Sequence, residues 1–288
     1  MKTTFKMLWP ITLLAVAAGL QMAGALLFFK TTIDPILIIG YFLITFGIYL
    51  LNRFTDCEDS FNCPEQKMFF QGQSKLIFFP IFMLSVSVIL LSASGKLSFW
   101  HILLIASGIL YSLKLLPQLK NGSIHFNRLK DLLFIKNLSV CLLWGITPFA
   151  VAASQTSSVM PSSGNLAVVI LAFCISTLIN TTTCDVRDAT GDRHVGITTM
   201  ATKFGEERTK WYLFSLGLAT SFFVGGACAA GMIGRPVCIL YLATMIWTAI
   251  VVLPIYHTKL GIPRMVTEPL IETQQIFCGA ALLMLGLL

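Results

Sequence analysis

The sequence predicts an all-α, polytopic membrane bundle of about nine transmembrane helices, and three observations predict it. Of 288 residues, 56% are apolar and only 11% charged, with a mean hydropathy of +0.82; a soluble domain usually carries about 25% charged residues. The apolar residues gather into nine runs close to the roughly 20 residues that cross hydrocarbon, at 8–29, 34–51, 75–94, 97–115, 132–153, 163–184, 211–233, 236–256 and 269–288. Of the 20 Lys and Arg, 17 fall on the side of the N-terminus, leaving only Lys30, Lys96 and Arg235 opposite. The composition excludes a soluble globular enzyme, a disordered chain and a disulfide-stapled secreted module.

Taken in order, the first run imitates a signal peptide, but it exceeds the 7–15 apolar residues of such a segment and no cleavage site stands out. It reads as the first span. The second run closes on a polar segment, Asn52 to Asp59, and the fourth closes on Tyr111-Ser112. Lys130-Asp131 and Lys136-Asn137 lead into the fifth, where a charge is costly without a partner. The sixth closes on Asp185 to Asp192, and the ninth follows the polar segment with Lys259 and Arg264. Short connections follow spans 1, 3, 5 and 7, and long polar ones follow 2, 4, 6 and 8. Little length is left for a soluble domain, so residues 1–288 are expected to form one intramembrane unit.

The charge sorting sets orientation: the N-terminus and long connections should face the cytoplasm, in a cell inner membrane. The net charge of +7 sits between spans, which points to topology and anionic small ligands rather than nucleic acid. Eight cysteines form no C-x-x-C pair and mostly lie inside apolar runs, as small buried hydrophobes do. Cys57 and Cys63 lie in a polar segment without His partners at zinc-ligand spacing.

The acidic residues carry the chemistry. Only Asp34 falls on the far side, a bias that positive-inside sorting does not explain. If helix 2 continues, Asn52, Asp56 and Asp59 stand at i, i+4 and i+7 on one face. After span 6, Asp185, Asp188 and Asp192 stand at i, i+3 and i+7, again on one face. Two helices thus offer matching acidic rows at similar depth, and both repulsion and desolvation demand a cation. Oxygen-only ligands suit Mg2+, which bridges a few carboxylates to substrate phosphates. Lys114, Arg128, Lys130, Lys136 and Arg193 are the candidate phosphate-binding cations.

These residues resemble the UbiA superfamily of intramembrane prenyltransferases, whose motifs are N-D-x-x-D-x-x-x-D after helix 2 and D-x-x-x-D after helix 6. The stretch Asp185-Val186-Arg187-Asp188-Ala189-Thr190-Gly191-Asp192, then Gly196-Ile197-Thr198-Thr199, follows the second motif closely. The first departs from the pattern: Arg53 replaces an Asp, and Asp59 arrives one residue early. Tyr111-Ser112 resembles the family's Tyr-Ser element. The resemblance implies two four-helix halves plus one helix. It also implies two Mg2+ ions, held by Asn52, Asp56 and Asp59 and by Asp188 and Asp192 with Asp185 in support. Asp56, Asp188 and Asp192 would be the catalytic carboxylates, and Lys114, Lys130, Lys136, Arg193, Arg128 and Tyr111 would bind the diphosphate. The implied reaction moves a prenyl group from a polyprenyl diphosphate to a small-molecule or lipid acceptor through an allylic cation. A terpene cyclase of the same superfamily is the enzymatic alternative. A cation transporter would need ionisable residues through the membrane's depth, whereas here they crowd one face.

Overall fold

The computed structural model describes residues 2–56, 64–72, 74–120, 123–156, 161–256 and 264–287. Each expected span contains a helix: α1 (Lys2–Phe28), α2 (Pro35–Thr55), α4 (Phe78–Ala93), α5 (Phe99–Ser112), α6 (Ile135–Ser154), α7 (Ser163–Val195), α9 (Glu206–Ala229), α10 (Arg235–Tyr256) and α11 (Arg264–Leu287). Two short helices, α3 (Pro64–Gly72) and α8 (Met200–Phe204), lie in polar connections. Among the described residues, α1, α2, α6, α7, α9 and α11 are long and apolar enough to cross a membrane, while α4, α5 and α10 (Arg235–Val251) are shorter apolar helices. The protein is an integral, multi-pass membrane protein.

Helix ends follow from local chemistry. Asp34 caps α2 by accepting from the amides of Ile36 at 3.0 Å and Leu37 at 3.4 Å, with Pro35 in the first turn. Lys96 hydrogen-bonds the other oxygen of Asp34, so two of the few far-side charges neutralise each other. α7 stops at Gly196, whose φ of 74° suits a residue without Cβ. There the Ile197 amide reaches Asp192 O at 2.9 Å and the Gly196 amide reaches Arg193 O at 3.3 Å, a Schellman closure. Thr199 and Thr202 then cap α8 reciprocally.

α2 does not continue as expected. It ends at Thr55, and Asp56 turns out of the helix with φ −73° and ψ 109°, so the i+7 alignment through Asp59 does not hold; Asp59 itself lies outside the described residues. The connection after α5 adds strands to the otherwise helical fold: β1 (Leu116–Lys120) and β2 (Ser123–Asn127) pair antiparallel, Leu116 opposite Asn127 and Lys120 opposite Ser123.

The two quartets pack alike: α2 lies against α1, α4 and α5, as α7 lies against α6, α9 and α10. α5 meets α6, and α11 packs on α1 and α10, closing the ring. The α1–α11 contact is backbone-close. A Cβ on Gly279 would stand 2.9 Å from Leu20 Cβ and 3.1 Å from Ala17 O, and one on Gly286 would stand 2.5 Å from Leu27 Cβ. From the other side, a Cβ on Gly24 of α1 would stand 2.8 Å from Leu282 Cγ and from Leu283 N. Small residues let membrane helices gain dispersion contacts that lipid cannot outcompete. Gly279→Val should therefore cost about 1–3 kcal/mol by overpacking, visible as a lower unfolding midpoint in detergent, whereas Gly225→Val, with open space around its Cβ position, should leave it unchanged.

Candidate active site

Both acidic groups occupy unfavourable places. Asp56 caps the C-terminus of α2 and Asp192 lies in the last turn of α7, where the helix dipole is negative; Asp185 and Asp188 lie in the two turns before it. Asp56, Asp185 and Asp192 are nearly fully buried. Carboxylates held there need cations, and the chain supplies them.

At the first group, Asn52 Nδ2 donates to Asp56 Oδ2 at 3.0 Å. Lys130 Nζ forms a buried ion pair with Asp56 Oδ1 and reaches Asn52 Oδ1 at 3.3 Å. Lys67 Nζ donates to the Asp56 carbonyl. The Lys130 ammonium also stands 5.8 Å above the Tyr111 ring, a cation–π distance. At the second group, Lys136 Nζ pairs with Asp185 Oδ1 at 2.5 Å, and Asn137 Nδ2 donates to Asp185 Oδ2 at 2.7 Å and Thr182 Oγ1 at 3.1 Å. Arg187 grips Asp188 with two parallel bonds, Nε to Oδ1 at 2.8 Å and Nη2 to Oδ2 at 2.7 Å.

One connection delivers both lysines. Strand β2 leads into a 3-10 turn, Leu129–Asp131, in which Asp131 accepts from the Arg128 amide at 2.9 Å and from Arg128 Nη2 at 2.7 Å. Phe134 then takes φ 66°, a left-handed value costly for a bulky residue, and starts α6 so that Lys136 follows within two residues. Lys130 and Lys136 thereby enter the same cavity from a single crossing of the bundle's end.

That cavity is lined by Asn52, Arg53, Asp56, Tyr111, Lys130, Lys136, Asn137, Asp185, Arg187, Asp188 and Asp192. Deeper, it is lined by Tyr41, Tyr49 and Trp144 and by aliphatic residues such as Leu14, Ile48, Leu104 and Leu143. Trp144 Nε1 donates to Tyr49 Oη at 3.1 Å, fixing two of the rings. A charged mouth thus opens onto an apolar, aromatic interior.

A family model for the UbiA prenyltransferase family matches residues 12–261. The chain belongs to this family. No curated protein sequence matches it, but solved UbiA structures share its fold. A UbiA homologue from Archaeoglobus fulgidus bound to GPP and Mg2+ has a TM-score of 0.62 at 15% identity, over 98% of this chain and 99% of that one. The apo UbiA homologue from Aeropyrum pernix K1 has a TM-score of 0.60 at 15% identity, over 93% and 96%. A structure described for digeranylgeranylglyceryl phosphate synthase in membranes has a TM-score of 0.56 at 15% identity, over 99% and 96%.

In this UbiA-family chain, the candidates do not all converge. Asn52, Asp56, Tyr111, Lys130, Lys136, Asp185, Asp188 and Asp192 line one cavity. Arg128 is buried beside it, bound to Asp131, with Nη1 3.9 Å from Asp56 Oδ1. Lys114 is exposed and not among the lining residues, and Arg193 is exposed and pairs with Glu206 at 3.1 Å. Arg187 was missed, because a lone Arg at a span end reads as a topology determinant; its place between two motif carboxylates was the available signal. Tyr49, Trp144 and Glu272 were also missed, since nothing in an apolar run says which face meets a cavity.

The Lys130–Asp56 pair generates a stability test. Lys130→Met strands a buried carboxylate and should destabilise the protein by about 3 kcal/mol. Asp56→Asn combined with Lys130→Met should recover most of that loss in a double-mutant cycle read by detergent unfolding; additive losses would show that the two groups are energetically independent.

Proposed function

We propose that this UbiA-family protein is an Mg2+-dependent intramembrane prenyltransferase that moves a prenyl group from a polyprenyl diphosphate to a second molecule. One observation carries the reading: carboxylates from the ends of α2 and α7 face one cavity together with Lys130, Lys136 and Arg187, directly above an apolar interior. Family membership supports prenyl transfer in general, and the Archaeoglobus fulgidus homologue was solved with GPP and Mg2+ and with DMAPP and Mg2+.

The donor set suits Mg2+. The candidate ligands Asn52, Asp56, Asp188 and Asp192 offer oxygen alone, and neither thiolate nor imidazole is among them. Among the described residues, no three His, Cys, Asp or Glu side chains gather closely enough to cage an ion. That arrangement fits an ion that keeps waters and takes its remaining oxygens from a phosphate. Asn52 and Asp56, with Asp59, would hold one ion, and Asp188 and Asp192, supported by Asp185, the other. Bound there, Mg2+ would neutralise charge developing on the diphosphate.

The chain's own groups do the rest. Lys130 and Arg187 are largely buried, Lys136 is partly exposed, and all three already point at carboxylates, so an arriving diphosphate gives them a second anion at little reorganisation. Tyr111 holds the Lys130 ammonium over its ring. Once the C1–O bond breaks, its electron pair leaves with the diphosphate and the allylic cation lies below. Tyr41, Tyr49 and Trp144 line the cavity there as aromatic groups that can stabilise it, and the aliphatic lining keeps water from quenching it. Lys114 and Arg193 have no part in this clamp, and Arg128 acts through Asp131 and Asp56. The lysine and arginine sorting supports a clamp at the cytoplasmic face of a cell inner membrane.

Asp56→Ala and Asp192→Ala should each lower Mg2+-dependent turnover of geranyl or geranylgeranyl diphosphate by at least about 100-fold while the protein stays folded in detergent. Chelation with EDTA should stop the wild-type reaction, and added Mg2+ should restore it. Turnover retained in both variants would remove the two-ion reading, and a hydrocarbon or terpene alcohol released without any acceptor would mark cyclisation instead.

A further inference from the structure

Below the charged mouth, the same cavity carries a second polar layer, built between α7 and α11. Asn180 lies five residues before Asp185, about 7.5 Å deeper at 1.5 Å per residue. Its Nδ2 donates to Ile271 O at 3.1 Å and Gln274 Oε1 at 2.7 Å, which sets residues 271–274 of α11 at that depth. Gln274 Nε2 reaches Ser176 O and Thr248 Oγ1, both at 2.8 Å. Gln275 Nε2 reaches Thr177 Oγ1 at 3.1 Å, and its oxygen accepts from Gln21 Nε2 at 3.2 Å. These bonds fix the rotation of α11. Glu272 is three residues before Gln275, on the same face, and both line the cavity with Asn180, Thr181, Cys184 and Tyr49.

A carboxylate inside a membrane bundle is expensive, and such residues are kept where they act on a ligand or proton. Glu272 lies outside the acidic motifs, on α11. Along α7 the level of Asn180 is about 7.5 Å from Asp185, about 12 Å from Asp188 and about 18 Å from Asp192, so Glu272 faces the part of the cavity into which a prenyl chain would extend from a diphosphate held at the mouth. We propose that this layer is the acceptor subsite, that it takes an uncharged, hydroxyl-bearing acceptor, and that Glu272 receives the acceptor's proton. The inference rests on the prenyl-transfer reading. In the step it describes, the C1–O bond breaks and its electron pair leaves with diphosphate, the acceptor's nucleophilic atom then bonds to C1 of the allylic cation, and the proton the acceptor bore passes to a Glu272 oxygen. A carboxylate or phosphate on the acceptor would meet the charge of Glu272 at low dielectric, whereas a neutral hydroxyl donates to it.

The test uses the full chain in detergent with GPP and Mg2+ and two matched probes, hydroquinone and 4-hydroxybenzoate. Wild type should geranylate hydroquinone at least tenfold more efficiently in kcat/KM. Glu272→Gln should lower kcat on hydroquinone by about 100-fold or more, as loss of a general base does, with Mg2+-dependent GPP binding unchanged. Equal use of the two probes, use of neither, or a Glu272→Gln variant as fast as wild type overturns the assignment. The probe comparison needs no variant, so it stands apart from any folding defect. Failure of the underlying reading shows separately, as wild-type protein that does not bind GPP in an Mg2+-dependent way.

Discussion

Burying carboxylates at the negative ends of two membrane helices is the constraint on which the rest of the structure depends. Asp56 and Asp185 are desolvated and gathered at one end of the bundle, and Asp56 also stands at the negative end of α2. A charge buried there needs a partner. Lys130 and Lys136 offset this with short ion pairs, and the amides of Asn52 and Asn137 add hydrogen bonds. The hairpin, the 3-10 turn and the left-handed Phe134 exist in the one connection that has to bring those lysines across. Much of the irregular backbone in this protein thus serves electrostatics at the mouth of the cavity.

The same arrangement that stabilises the protein would also suit the proposed diphosphate headgroup. An ammonium held by a single carboxylate in a water-poor pocket gains from a phosphate oxygen placed beside it. The carboxylate, once shared, gains in turn from an added cation. Charge is balanced before and after binding, with little side-chain movement. Beneath, the bundle changes character over a helical turn or two: Asn180, Gln274, Gln275 and Glu272 form a polar layer, and the Tyr49–Trp144 pair and aliphatic side chains form the walls. A prenyl diphosphate bound as proposed would meet a matching environment for headgroup, reacting carbon and apolar tail along one axis.

Legibility in the sequence divided along the range of the interactions involved. Span positions were readable because hydrocarbon thickness acts on each segment separately, and every expected run contains a helix. The second acidic motif was readable as a face because α7 carries straight through Asp192 before Gly196 stops it. The first was less so, because α2 ends at Thr55, a stop that depends on its surroundings as much as on local propensity. The hairpin between α5 and α6 was also missed; its exposed Leu119, Ile124 and Phe126 look like any loop hydrophobics in a chain this apolar.

The sequence by itself determined that the chain spans the membrane many times, which end of the bundle collects the charge, and that two acidic groups lie at comparable depth. Those properties follow from composition, periodicity and spacing, all of them local. Only the tertiary structure decided which cations serve those acids, selecting Lys130, Lys136 and Arg187 and leaving Lys114 and Arg193 outside. It also decided that Glu272, two hundred residues from Asp56, faces the same cavity. Pairings of that kind depend on how helices rotate and approach, and here the rotation of α11 is held by glutamine amides and its approach to α1 by glycines, neither of which a single segment can announce.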